Sequence, residues 1–398
     1  MKKHQKQDEL KIAQVTTIDW TLKLFLKNFM KNLIDENNQV VAISSFGPHV
    51  SNLEDAGIRH ISVKLSRRAI TPLADIRALW NLYKIFKTEK FTIVHTHTPK
   101  AGIIGRAAAK FARIPVIVHT NHGFIFSDRS HWLWRTLFVT LERVSAKTCD
   151  FIFSVNQEDI ETAINEKICP PEKIHLLGQG GVGIDVQKFD PNRISPEVKK
   201  QKQFEIGIPE GNIVVGFVGR LVKEKGILEF FSIAQILQQR FDEISFVIVG
   251  PIDYEKPDTV HPHVSKEYGI FDKCHFLGLR DDMPELYSLM DVIILPSHRE
   301  GFPVVLMEAS AMGIPIVTTD VRGCREAVEN GLNGFVVPLG DIKALSNAVI
   351  ELLENHDMRK KMSHDGHLYA KRFDEQRIFL QVSEEYKRLL KIKRGFYS

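Results

Sequence analysis

Short apolar runs alternate with stretches whose apolar residues recur at helical spacing, and the chain does this twice. In the first series, strands are predicted at 11–15, 40–43, 92–94, 116–118, 151–155 and 174–177. Helices are predicted at 22–33, 73–87, 100–111 and 132–149. In the second, strands fall at 213–217, 246–249, 275–277, 292–295, 316–318 and 334–337. Helices fall at 227–239, 283–289 and 342–355, and charged helical stretches run from Met358 to the end. Bounded apolar runs between helices read as parallel strands covered on both faces. The expected class is α/β, with two Rossmann-like, doubly wound parallel-sheet domains. Between Asp190 and Pro209 the chain turns polar, with Pro191, Pro196 and a run of lysines. The boundary is placed there. Residues 1–195 form one domain and 196–375 a second, with 376–398 a closing helix expected to pack back toward the first. Open parallel sheets bind ligands beyond the carboxyl ends of their strands, so two facing sheets are expected to share a central cleft.

A chain of 398 residues, 43% hydrophobic and 26% charged, is long enough for two such domains. No apolar run approaches the ~18 residues that span a bilayer, and the polar start Met1–Glu9 does not resemble a signal peptide. Cys149, Cys169, Cys274 and Cys324 are scattered without a CxxC pair, as expected for reduced thiols in the cytoplasm. Residues 1–195 carry 27 Lys+Arg against 19 Asp+Glu, whereas the remainder carries 26 against 30. A basic first half points to an anionic partner there: a phosphate or acidic lipid. Nucleic acid is not expected, because the basic residues are not interleaved with aromatics in any recognised motif.

The densest chemistry lies at His298-Arg299-Glu300-Gly301-Phe302-Pro303-Val304-Val305-Leu306-Met307-Glu308. It follows the apolar run 292–295. Pro303 sits where a helix would begin, which leaves the amides of Phe302, Val304 and Val305 to meet an anion such as phosphate. Glu300 in the loop and Glu308 in the helix suit hydroxyls of a ribose and of a sugar on either side. The plainer reading of Glu308 alone is a carboxylate near a helix start. After the first strand of the second series comes Gly216-Phe217-Val218-Gly219-Arg220-Leu221-Val222-Lys223-Glu224-Lys225-Gly226. Its glycines admit a close ligand, and Arg220 and Lys225 place two cations at the strand end, suited to a diphosphate. Otherwise they make a turn with solvated charges.

In the first half, Val118-His119-Thr120-Asn121-His122-Gly123-Phe124 puts two histidines after a strand. One is expected to face a ligand and the other to be scaffold. No third ligand at metal spacing accompanies them and no Asp-x-Asp follows a strand, so no metal is expected. Val94-His95-Thr96-His97-Thr98-Pro99-Lys100 reads as a strand end, Thr98 as N-cap and Pro99 at the first helical position. Lys100 there makes a second anion site, to which Arg67 and Arg68 can add. For these two arginines a solvated surface charge is an equal alternative. Leu22, Phe25, Leu26, Phe29, Met30 and Leu33 alternate with Lys23, Lys27 and Lys31. Such a helix lies on acidic membrane or, more commonly, packs on a sheet. Trp132 and Trp134 beside Arg135 offer another membrane contact.

These stretches, with Gly219-Arg220, Lys225-Gly226, Glu300 and Glu308 with seven residues between them, and Asn333-Gly334-Phe335, resemble the family-4 retaining glycosyltransferases of GT-B architecture. The first half resembles the branch that builds capsule, O-antigen and other lipid-linked oligosaccharides in bacteria. The resemblance implies a UDP-sugar donor, carrying an N-acetylhexosamine or hexose, and a polyprenyl-diphosphate-linked saccharide acceptor. It also implies a cytoplasmic protein peripheral at the inner face of the membrane, in contact with anionic lipid. No cofactor or metal is implied.

By position, Arg220 and Lys225 would bind the donor diphosphate, Glu308 the ribose and Glu300 the donor sugar, with His122 near the reacting sugar. Gly219, Gly301, Phe302, Pro303, Val304 and Val305 would complete the donor site, and Leu279-Arg280 would frame the base. Thr17, Arg67, Arg68, His97, Lys100 and His119 are the acceptor-side candidates. One departure is the first β–α loop. Thr16-Thr17-Ile18-Asp19-Trp20-Thr21 stands where many relatives carry glycines. Alternatives are a UDP-sugar 2-epimerase-like enzyme, a glycosyltransferase with a soluble acceptor, and a non-catalytic sugar-nucleotide binder.

Overall fold

Six consecutive residues of the first strand, from Ile12 to Thr17, are buried, as a strand covered on both faces requires. The strands of the first series are Lys11–Ile18 (β1), Gln39–Ser45 (β2), Arg59–Ser62 (β3), Ile93–His97 (β4), Val116–Asn121 (β5), Phe151–Ser154 (β6) and Ile174–Leu176 (β7). Those of the second are Ile213–Val218 (β8), Ile244–Val249 (β9), Cys274–Gly278 (β10), Val292–Leu295 (β11), Ile316–Thr319 (β12) and Gly334–Val337 (β13). This computed structural model describes residues 9–68, 70–126 and 131–395. The seven-stranded sheet runs β3-β2-β1-β4-β5-β6-β7 and the six-stranded sheet β10-β9-β8-β11-β12-β13. Every pairing between these strands is parallel.

Both orders reverse direction once, between β1 and β4 and between β8 and β11. At such a reversal the following loops leave to opposite faces and open a crevice at the strand ends. The stretches 219–226 and 296–303 are the loops that leave the second reversal.

The chain divides at Gly178, earlier than the expected boundary at 195. One unit holds residues 1–178 with 376–398, and the other holds 179–375. The glycine-rich segment after β7 belongs with the second unit because its backbone lies on that unit's side chains. A Cβ at Gly180 or Gly181 would meet Phe302 at 2.5 and 2.9 Å. The polar stretch read as the boundary instead holds the helix Pro196–Glu205, started by Ser195, whose hydroxyl accepts from the Val198 amide. Among the described residues β3 is the strand the pattern missed. It is an edge strand with a single apolar residue and both ends exposed, so it carries no periodic signal.

The first β–α connection also differs from expectation. The pattern ends the first strand at 15 and puts Thr16 and Thr17 in the loop, but β1 continues to Ile18 and helical backbone begins at Asp19. The Asp19 carboxylate accepts from the Trp20 and His49 amides at 2.9 and 2.7 Å, tying this helix start to the loop after β2. The following segment, Leu22–Leu26, is a π-helical turn before the α-helix Lys27–Asp35. Leu22, Leu26, Phe29, Met30 and Leu33 are buried. This helix therefore packs on its own unit, and its apolar face is not available to a membrane.

Candidate active site

In the second unit, the loops after β8 and β11 bring opposite charges together. Gly226 allows the approach: it has a φ of 77°, and a Cβ there would lie 2.0 Å from the Pro296 carbonyl oxygen. Gly250 likewise lets the end of β9 reach the Gly219 carbonyl, 1.9 Å from where its Cβ would stand. Lys225 Nζ donates to both carboxylate oxygens of Glu300 at 2.6 Å, and the Ser297 hydroxyl donates to Glu300 Oε1 at 2.7 Å. Arg220 Nη1 donates to Asp253 Oδ2 at 2.7 Å.

The helix after this loop is Val304–Ala311, with Pro303 as its N-cap and not its first residue. Glu308 lies in the helix, half-buried, and its Oε2 accepts from the Tyr287 hydroxyl at 2.9 Å. Burial pushes its carboxyl up to about 7, opposed by the Tyr287 hydrogen bond. Phe302 is buried beneath the loop, edge-on to Phe373 at 5.6 Å. Leu279 is exposed after β10. The Arg280 guanidinium is held by Asp282 and Glu205. Buried Asn333 donates to Ser310 and accepts from the Glu329 amide, so it is scaffold.

In the first unit, the reversal between β1 and β4 is closed by Thr17 and Thr98, whose hydroxyls lie 2.8 Å apart. Thr98 stands at the start of the helix Pro99–Ala112 with φ 59° and ψ 148°, a strained conformation for a β-branched residue. Its hydroxyl serves Thr17, not the helix amides it was expected to cap. Lys100 Nζ donates to Asp75 Oδ1 at 2.7 Å and to the Thr71 hydroxyl at 2.9 Å. It therefore holds the start of the helix Pro72–Glu89, its charge already balanced. Arg67 and Arg68 are exposed.

The four histidines form one buried neighbourhood. His95 Nδ1 lies 2.6 Å from the Tyr386 hydroxyl and its Nε2 lies 2.7 Å from Thr120 Oγ1. His97 Nδ1 is 3.1 Å from His122 Nε2, and His97 Nε2 is 2.8 Å from Gln14 Oε1. His119 Nδ1 is 3.0 Å from Thr96 Oγ1. Desolvation pushes His95 down to about 3 and His122 to about 4, and holds His97 and His119 well below the usual imidazole range. All four are neutral at physiological pH. His97 and His119 are buried and spent on internal partners. So placed, neither is open to the acceptor contacts expected of it; His97 adjoins His122, which is half-buried and stacks on Phe25 with centroids 6.3 Å apart. Among the described residues no three His, Cys, Asp or Glu side chains gather as a metal site would need.

Asp253, Tyr287, Gln14 and Tyr386 were not singled out from sequence. Gln14 did carry a signal: a polar residue in the middle of an apolar strand must find a buried partner.

Residues 24–180 match the family model described as Glycosyltransferase Family 4, and residues 198–368 match the one described as Glycosyl transferases group 1. The chain is 32% identical to the Escherichia coli UDP-Gal:alpha-D-GlcNAc-diphosphoundecaprenol alpha-1,3-galactosyltransferase, with 78% of each chain covered. It is 29% identical to the Campylobacter jejuni N,N'-diacetylbacillosaminyl-diphospho-undecaprenol alpha-1,3-N-acetylgalactosaminyltransferase, over 92% of this chain and 96% of that one. The fold is shared with Anabaena HepE in complex with UDP-glucose, at a TM-score of 0.81 and 21% identity, covering 96% of this chain and 100% of that one. The chain belongs to family 4 of the glycosyltransferases and is a sugar-transferring enzyme. The epimerase and the non-catalytic binder are thereby set aside.

Proposed function

We propose that this enzyme moves a hexose or N-acetylhexosamine, with retention at the anomeric carbon, from a UDP-sugar to a polyprenyl-diphosphate-linked saccharide in cell-surface polysaccharide synthesis. The observation that carries the donor reading is the cluster at the β8/β11 reversal. Lys225 and Arg220 lie on one loop, Glu300 on the next and Glu308 in the helix that follows it, and each charge is held by a partner a ligand can replace. Diphosphate oxygens take the place of Glu300 on Lys225 and of Asp253 on Arg220. Glu300 is then released to hydrogen-bond a sugar hydroxyl, and Glu308 accepts from the ribose hydroxyls. Stabilising charge on the departing diphosphate is the main chemical task, and preorganised cations do it well. A leaving phosphate oxygen takes the acceptor proton, so no protein nucleophile is required. His122 receives a hydroxyl of a bound sugar.

The acceptor reading rests on the named substrates of the relatives and on the basic first unit. With Lys100 paired to Asp75, the exposed Arg67 and Arg68 are its best phosphate partners. Among the described residues no helix is long and apolar enough to cross a membrane. Contact with anionic lipid is assigned to the helix Pro72–Glu89. There Leu73, Ile76 and Trp80 make an exposed stripe at helical spacing, and Lys84 lies over the Trp80 ring at 5.3 Å.

A donor screen tests the proposal. UDP-sugars and GDP-sugars are offered with a synthetic polyprenyl-diphosphate-N-acetylhexosamine, and nucleotide release and the lengthened lipid are measured together. The expected result is UDP release coupled to one added sugar. Release only from GDP-sugars, or transfer only to free sugars, overturns the substrate assignment.

A further inference from the structure

The geometry points to Gln14 and His97 as positioning residues that fix the tautomer of His122, leaving Nδ1 as a bare hydrogen-bond acceptor. The inference rests on the reading above that His122 meets a sugar hydroxyl.

Proton counting along the network gives the result. The Oε1 atom of Gln14 has no hydrogen, so His97 Nε2, 2.8 Å away, must donate to it. A neutral imidazole carries one N–H. His97 Nδ1 is therefore a lone pair, and His122 Nε2, 3.1 Å away, must donate. His122 then has its only proton on Nε2, and its Nδ1 has no hydrogen-bond partner among the described residues.

The other end of the Gln14 carboxamide is consistent with that orientation. Gln14 Nε2 donates to the Tyr386 hydroxyl at 3.2 Å, Tyr386 donates to His95 Nδ1, and His95 Nε2 donates to Thr120 Oγ1. Gln14 is fully buried in β1. A reversed amide would reverse every proton in the chain, so the network behaves as one unit. The chemical consequence is specific. At neutral pH His122 accepts from a sugar hydroxyl and does not donate to it. His97 acts only through His122.

Two-bond nitrogen–proton spectra of the full-length protein, labelled with 15N-histidine and without substrate, test this directly. His122 is identified by the signal lost in a His122→Asn variant. The expected pattern at neutral pH is a protonated Nε2 and an unprotonated Nδ1; a protonated Nδ1 overturns the proposal. Gln14→Glu keeps an oxygen facing His97, so the tautomer and most of kcat are expected to survive. Gln14→Leu removes that oxygen. His122 is then expected to show both tautomers, and kcat to fall on the order of tenfold with donor KM unchanged, as for other partners that orient a histidine. A single unchanged tautomer in Gln14→Leu also overturns it. If Gln14→Leu does not fold, the wild-type spectrum and Gln14→Glu still decide. The role of His122 itself is read separately: full activity in His122→Ala would remove the sugar contact while leaving the tautomer assignment intact.

Discussion

Lys225 and Glu300 neutralise each other across two loops, with Nζ 2.6 Å from each carboxylate oxygen. The pair is largely buried, with side chains 20% and 7% exposed. Removing one partner therefore leaves a carboxylate with only the Ser297 hydroxyl among the described residues. Lys225→Ala is expected to lower turnover by ~10²–10³-fold and also to lower the melting temperature. Adding Glu300→Gln should restore stability but not turnover. Calorimetry and a UDP-release assay on the two single variants and the double check this. A Lys225→Ala enzyme with unchanged rate would remove the diphosphate role.

Arg220 holds Asp253 through a single nitrogen, which leaves the rest of its planar fork to meet phosphate oxygens. Arg220→Ala should cost turnover by ~10²–10³-fold, and Arg220→Lys should recover only part of it. Full recovery by lysine would mean that charge alone is used.

Glu308 makes an apo-state prediction about pH. Its carboxyl is raised from 4.5 to about 7, chiefly by burial. Below 4.5 it is protonated whether folded or unfolded. Between 4.5 and about 7 the unfolded chain releases the proton first, so stability declines as pH rises through that window. Glu308→Gln has no such proton. Its melting temperature relative to wild type should rise from pH 4 to pH 8 in the absence of donor. Its donor KM should rise more than its kcat falls, because ribose contacts change little in the reaction. A parallel pH profile in the two proteins would contradict the raised carboxyl.

Much of this candidate site was legible because Arg220, Lys225 and Glu300 lie where periodicity stops. Arg220, Lys225, Glu300 and Glu308 follow apolar runs, and strand ends at a reversal of sheet order are where ligands bind. What was not legible is pairing. Asp253 and Asp75 come from distant sequence, and nothing local to Arg220 or Lys100 announces a counter-charge. The histidines show the same limit. His95, His97, His119 and His122 all follow strand patterns, but only the register of β4 on β5 and the placement of Gln14 and Tyr386 show which is supported and which are supporting. Edge strand β3 was missed for a related reason: an edge with exposed ends needs no apolar alternation.

Lys100 illustrates the consequence. It was expected to meet acceptor phosphate, yet its ammonium is taken by Asp75 and Thr71, and its side chain is 9% exposed. Lys100→Ala leaves the Asp75 carboxylate with only the Thr71 amide and hydroxyl among the described residues, and should destabilise the fold by about 1–3 kcal/mol. Acceptor KM at a permissive temperature should change less than KM in Arg68→Ala. A selective rise in acceptor KM for Lys100→Ala, with no loss of stability, would return Lys100 to the acceptor site.

The proposed membrane contact can be tested on two of its candidate helices. The segment from Leu22 to Leu33 has lysines but buries Leu22, Leu26, Phe29, Met30 and Leu33, whereas Pro72–Glu89 exposes Leu73, Ile76 and Trp80 at positions i, i+3 and i+7. Moving a large apolar side chain from water into lipid contributes roughly 1.5–3 kcal/mol, so losing two should weaken binding by at least about a hundredfold. Ile76→Ser combined with Trp80→Ser is therefore expected to abolish most sedimentation with anionic liposomes while turnover on a short-chain, detergent-soluble acceptor persists. Lys27→Ala combined with Lys31→Ala should sediment nearly as wild type does. Salt should weaken wild-type binding only in part, since screening touches the lysines and not the apolar stripe. If the Ile76/Trp80 variant sediments normally and the Lys27/Lys31 variant does not, the contact belongs to the first helix through its charges alone, and the assignment to Pro72–Glu89 is wrong.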